Sequence, residues 1–124
     1  MKKGMIITNN PKFKDLVKPN LIIEYRDVPA QQILILTRNY IHQNYDLLTH
    51  PLHSSLKPNE TPFRSVVVSQ TAGTALNMES VQHIENAISS YDRFLKDVPL
   101  EIRDDIILQD FQVIDYDLII KAME

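Results

Sequence analysis

A proline-punctuated stretch, Thr49 to Ser65 (THPLHSSLKPNETPFRS), concentrates most of the side chains in this chain that could do chemistry together. Lys57 and Arg64 supply positive charge, and Ser54, Ser55, Asn59 and Thr61 supply hydrogen-bond donors. That set suits a carboxylate or a phosphate-sized anion. At roughly seventeen residues the segment exceeds the roughly 4–6 of an ordinary connection, and long loops in small domains tend to be functional or disordered. His50 sits directly after a short apolar run, a position that suits hydrogen bonding or proton transfer, and it is the candidate catalytic residue. Lys57 and Arg64 also fit a solvated loop in which Glu60 is a local partner.

Other constellations are weaker. His50 and His53 have a spacing that metal ligands can adopt, but no third ligand is evident and no metal is expected. Ser54 or Ser55 with a histidine and Asp46 are ingredients of nucleophilic catalysis, yet the Gly-x-Ser-x-Gly elbow is missing. Gly4 and Gly73 are the only glycines, so there is no phosphate-cradling loop, and no cofactor is expected. Asp104, Asp105, Asp110, Asp115 and Asp117 read as helix-start and surface residues. His83 falls off the apolar stripe of its predicted helix and reads as solvated.

Composition narrows the classes further. The chain has 124 residues, enough for one domain, 1–124, with a real core. It has no cysteine, which excludes thiol redox chemistry and a zinc-thiolate site carried by this chain. A net charge of -3, with both signs interspersed, gives no reason to expect nucleic acid or an anionic membrane as a partner. The start, MKKGMII, is too short in its apolar run for a signal peptide or a span, so a cytoplasmic protein is expected.

Several elements must position the candidate residues. Met5 to Ile7 and Leu21 to Ile23 are continuous apolar runs of the kind found in strands covered on both faces. Tyr45 to Leu48 and the valine-rich Ser65 to Ser69 read as two more strands, and Phe111 to Ile114 as a last one. Helices are expected over Val28 to Gln43, from the N-cap Asn77 through Val98, from Pro99 to about Leu108, and over Tyr116 to Ala122 with Asp115 as cap. The alternation predicts a single three-layer α/β sandwich with a mainly parallel, Rossmann-like sheet of about 4–5 strands. In such a sheet Asn9 and Asn10, at the exit of the first strand, would share a polar rim with Thr49 and His50. Lys57 to Arg64 reach that rim if the valine strand runs antiparallel to Tyr45 to Leu48, or if the loop folds back.

The motifs ITNNP (Ile7 to Pro11), LLTHPL (Leu47 to Leu52), KPNETPFRSVVVS (Lys57 to Ser69) and DFQVID (Asp110 to Asp115) resemble those of the GrdX family. These are small proteins associated with glycine reductase gene clusters in amino-acid-fermenting anaerobes. The resemblance covers most of the chain, and its proline-bounded KPNET segment is the most specific part. It implies a context, the glycine, sarcosine and betaine reductase system with its components as partners, and no assigned activity. Such systems work through thiols and selenols, which this chain lacks, so an accessory or regulatory role is expected. The expected contacts to a small anionic ligand, or to a partner's loop, are Asn9, Asn10, His50, Ser54, Ser55, Lys57, Asn59 and Arg64. A small enzyme acting on an acyl phosphate, with His50 as acid or base, is the alternative.

Overall fold

The computed structural model describes residues 2–53 and 56–124. Its centre is a three-stranded sheet of β1 (Gly4–Thr8), β2 (Leu21–Tyr25) and β3 (Ser65–Val68), in the order β2-β1-β3. The β1–β2 pair is parallel, with Ile6 opposite Ile23. The β1–β3 pair is antiparallel, with Ile6 opposite Val67 and Thr8 opposite Ser65. Because side chains alternate across a pleat, Met5, Ile7, Val66 and Val68 face one layer. There they pack with Ile33, Leu34 and Ile41 of α1 (Ala30–His42) and Ile84 and Tyr91 of α2 (Met78–Asp97). Ile6 and Val67 face the other layer, against Phe13 and against Ile119 and Met123 of α3 (Asp105–Met123). Burial on both faces is why β1 and β3 carry no polar alternation until Thr8 and Ser65.

Gly4 is required by that second layer. A Cβ there would lie 2.7 Å from Val67 Cγ1 and 2.9 Å from Met123 Cε, so only glycine lets the end of α3 settle on β1. At the end of α1, Asn44 takes φ 73° and the Tyr45 amide donates to the Tyr40 carbonyl at 3.1 Å. This left-handed cap turns the chain back across β3. α2 begins where the Asn77 side chain accepts from the Ser80 amide, and its buried stripe runs through Ser80, Ile84, Ala87 and Tyr91. α3 begins where Asp104 Oδ1 accepts from the Ile107 amide at 2.9 Å.

The sheet corrects the expected architecture. It has three strands and mixed direction, where a mainly parallel Rossmann-like sheet of about 4–5 strands was predicted. Two segments account for the difference. Tyr45 to Leu48 makes one antiparallel bridge, Leu47 to Val68, and no ladder. Two of its four amides are diverted to side chains: the Asp46 amide donates to Ser69 Oγ at 2.9 Å and the Leu47 amide to Ser80 Oγ at 3.0 Å. Phe111 to Ile114 lies inside α3, where Ile107, Phe111, Ile114 and Leu118 follow a helical spacing that an apolar run of four residues cannot distinguish from a strand. The helix predicted from Pro99 to Leu108 starts only at Asp105, and Asp115 sits mid-helix and caps nothing.

Candidate functional site

Antiparallel pairing of β3 with β1 brings the two polar segments together. Residue 9 leaves β1 at the point where residue 64 enters β3, and the condition on strand direction is met through the Leu47–Val68 bridge as well. Asn9 is the clamp. Its Oδ1 accepts from the Arg64 amide at 2.8 Å, and its Nδ2 donates to the carbonyls of Val28 (3.0 Å) and Pro62 (2.9 Å). Asn10 is equally committed: Oδ1 accepts from the Lys12 amide, and Nδ2 donates to the Gln112 carbonyl and to Asp115 Oδ2. Both asparagines thus spend their amide groups on the scaffold.

Below them lies a directed chain of hydrogen bonds. The Asn10 amide donates to Thr8 Oγ1 at 2.9 Å, and Thr8 and Ser65 hydroxyls meet at 2.6 Å. Ser65 donates to Asp115 Oδ2 at 2.6 Å, which leaves Thr8 as the donor to Ser65. Sequence reasoning placed Asp115 among surface and capping acids. The signal that would have found it is helical spacing, because Phe111, Asp115 and Ile119 fall on one stripe and Ile119 is buried.

Burial pushes the Asp115 carboxyl above its ordinary value, although the hydrogen bonds from Ser65 and Asn10 and the charge of Arg64 act the other way. A raised acid pKa means that the folded state holds the proton more tightly than the unfolded chain. Its contribution to stability therefore declines as pH rises from the unfolded value of 3.8 through the folded one. Asp115→Asn removes this dependence. The urea midpoint of the wild type should gain on that of Asp115→Asn as pH is lowered from about 7 to about 4, and parallel profiles would contradict the assignment.

Arg64 is the unusual member. It is 2% exposed, its Nε has no hydrogen-bond partner, and among the described residues no carboxylate lies within ion-pairing distance. The guanidinium stands 6.0 Å from the Tyr91 ring centroid. Burial works against its charge, and Tyr91 and Asp115 only partly offset that. An arginine does not escape this by losing its proton. Among the described residues this positive charge therefore has no close counter-ion.

That charge is felt at a cavity of about 290 Å³ between the segment Leu47 to His50 and the first turns of α2, where Asn77, Glu79, Ser80 and His83 complete the wall. His50 lines it and accepts from the Leu52 amide at Nδ1, 3.1 Å. Burial, and then the neighbouring His83, His53 and Arg64, hold His50 below the usual histidine range. Lys57 is exposed, and its amide donates to Glu60 Oε1 at 2.9 Å. Asn59 is buried, donates to Glu101 at 3.2 Å, and leaves Oδ1 without a partner. Ser54 and Ser55 lie outside the described residues. The structure thus places His50 at the cavity, where the charge of Arg64 acts on it, while Asn9 fixes the loop that carries Arg64 and Asn10 is tied to α3. Among the described residues no group of three or more histidine or acidic side chains is placed to hold a metal ion. None of the described helices is long and apolar enough to cross a membrane.

Residues 5–124, nearly the whole chain, match the family described as GrdX-like protein. The chain belongs to that family. Within it, ITNNP is the exit of β1 with its clamp, and KPNETPFRSVVVS is the loop that carries Arg64 into β3. No curated protein and no solved structure matches the chain.

Proposed function

We propose that this GrdX-like protein is a non-redox accessory or regulatory component of the glycine, sarcosine and betaine reductase system that binds a small anionic ligand at the segment 49–65. The observation that carries the reading is Arg64, a buried guanidinium without an ion pair among the described residues, whose charge acts on His50 of the histidine-lined cavity. Burying an uncompensated charge is unfavourable, and an anion is what would compensate it. The accessory role is supported by family membership and by the absence of cysteine, which leaves this chain without a thiol to exchange electrons. A reductase component as partner would meet the exposed apolar side chains Leu100, Ile102 and Ile106 around the start of α3.

A thermal-shift screen of small carboxylates and phosphates tests the ligand. A ligand at about 100-fold its dissociation constant should stabilise the wild type by about 2.7 kcal/mol. Arg64→Ala should lose that response, and Lys57→Ala should weaken it. The ligand reading fails if the wild type responds to none of these compounds or if both variants respond as the wild type does.

A further inference from the structure

His83 stands across the cavity from His50. Their ring centroids are 6.0 Å apart with planes at 65°, nearly edge to face, and both line the cavity together with Thr49 and Ser80. One histidine comes from a loop and the other from the second turn of α2, so no local element requires them to meet. The closeness of the two rings, with Arg64 also acting on His50, disfavours a positive charge on His50.

The groups facing the pair can be stated. Glu79, one turn earlier on α2, places Oε1 3.6 Å from His83 Nε2, but that carboxylate is largely solvated. His53 and Arg64 act on His50 from the loop, both against its protonation. Asp46 is occupied, since its Oδ1 accepts from Asn77 Nδ2 at 3.2 Å. The Leu52 amide fixes the tautomer of His50: Nδ1 is the acceptor, so the neutral ring carries its proton on Nε2. A second proton on His50 would have to displace that amide. His83 has no such constraint.

We propose that His50 and His83 form a proton-linked subsite for a small oxyanion, in which neutral His50 donates through Nε2–H and His83 takes up one proton as the anion enters. This rests on the oxyanion reading of the segment 49–65. The bound anion and the new imidazolium form a compensated pair, so binding strengthens as pH falls and weakens as pH rises.

Sulfate is the first probe, because it stays a dianion throughout the range in which histidine titrates, and acetate is the second. Isothermal titration from about pH 6 to 8, in two buffers of different ionisation heat, should show uptake of close to one proton. Affinity should fall by up to about tenfold per pH unit on the alkaline side. His83→Gln, an exposed substitution on the helix surface, should abolish the uptake and flatten the profile while weaker binding persists. His42→Gln, at the far end of α1, should behave as the wild type. Wild-type binding that is independent of pH and of buffer, or a His83→Gln protein that still takes up the proton, overturns the subsite and leaves the anion reading standing. No binding of sulfate or acetate at any pH overturns both.

Discussion

Asn9→Ala should lose about 3 kcal/mol of stability with no ligand present, because it strands three backbone groups at once. The Arg64 amide, and the carbonyls of Val28 and Pro62, each lose their partner in a part-buried or buried setting. A buried group left unsatisfied costs about 1–3 kcal/mol, and three around one side chain are not fully additive, which sets the figure. For a domain of this size the expected fall in melting temperature is about 10 °C. Asn9→Asp keeps the acceptor for the Arg64 amide but loses both donors, so it should fall between wild type and Asn9→Ala. A melting temperature for Asn9→Ala within a degree or so of the wild type would mean that the loop 62–64 is held in place by something other than this side chain.

Arg64→Met should move stability in the opposite direction. Methionine retains much of the aliphatic bulk beside Tyr91 and removes a buried charge that has no close counter-ion. Replacing buried charge by apolar side chains of similar volume is often neutral or stabilising by about 1–4 kcal/mol. The amide of residue 64 keeps its bond to Asn9, so the clamp is untouched. The same substitution should erase stabilisation by oxyanions and should drive the Asp115 carboxyl further up, because it deletes a charge that lowers it. A protein made more stable and less able to respond to ligand would mark Arg64 as retained for recognition at the expense of the fold. Denaturant unfolding with and without sulfate reads both halves together. If Arg64→Met is destabilised by several kcal/mol, as removal of a buried partner usually is, then Arg64 holds the fold together through contacts that geometry alone does not reveal.

What the sequence discloses follows from where a single physical rule dominates. Met5 to Ile7 and Val66 to Val68 read correctly as strands because burial on both faces leaves an uninterrupted apolar run. α2 was legible from Asn77 and a stripe of apolar residues three and four apart. Tyr45 to Leu48 misled because its composition suits a strand while the Asp46 and Leu47 amides are captured by Ser69 and Ser80, residues distant in sequence. Phe111 to Ile114 misled because four apolar and polar residues fit a period of two as well as one of 3.6. The long loop could be located as a polar concentration, and Arg64 could be picked from it as a cation. That its charge is buried could not, since burial depends on Tyr91, far along the chain. His83 and Asp115 were discounted for one reason: each looks like an ordinary helix-surface residue until the opposing loop or strand end is in place.

The segment from Asp46 to Thr49 is fastened to its surroundings by hydroxyls and by backbone bonds to β3 in equal part. Ser69 and Ser80 hydroxyls accept from the Asp46 and Leu47 amides and Thr49 Oγ1 from the Val67 amide, while the Leu48 and Thr49 amides donate to the Val67 carbonyl and the Ser69 amide to the Asp46 carbonyl. A hydroxyl rotates about a single bond and can release one partner without disturbing the next, unlike a strand ladder that must unzip in order. Opening this wall of the cavity therefore involves a few hydrogen bonds of about 1 kcal/mol each, far less than unfolding the sheet behind it. The outer hydroxyl bonds of this segment and its backbone bonds to β3 then stand at different energetic levels of one small domain.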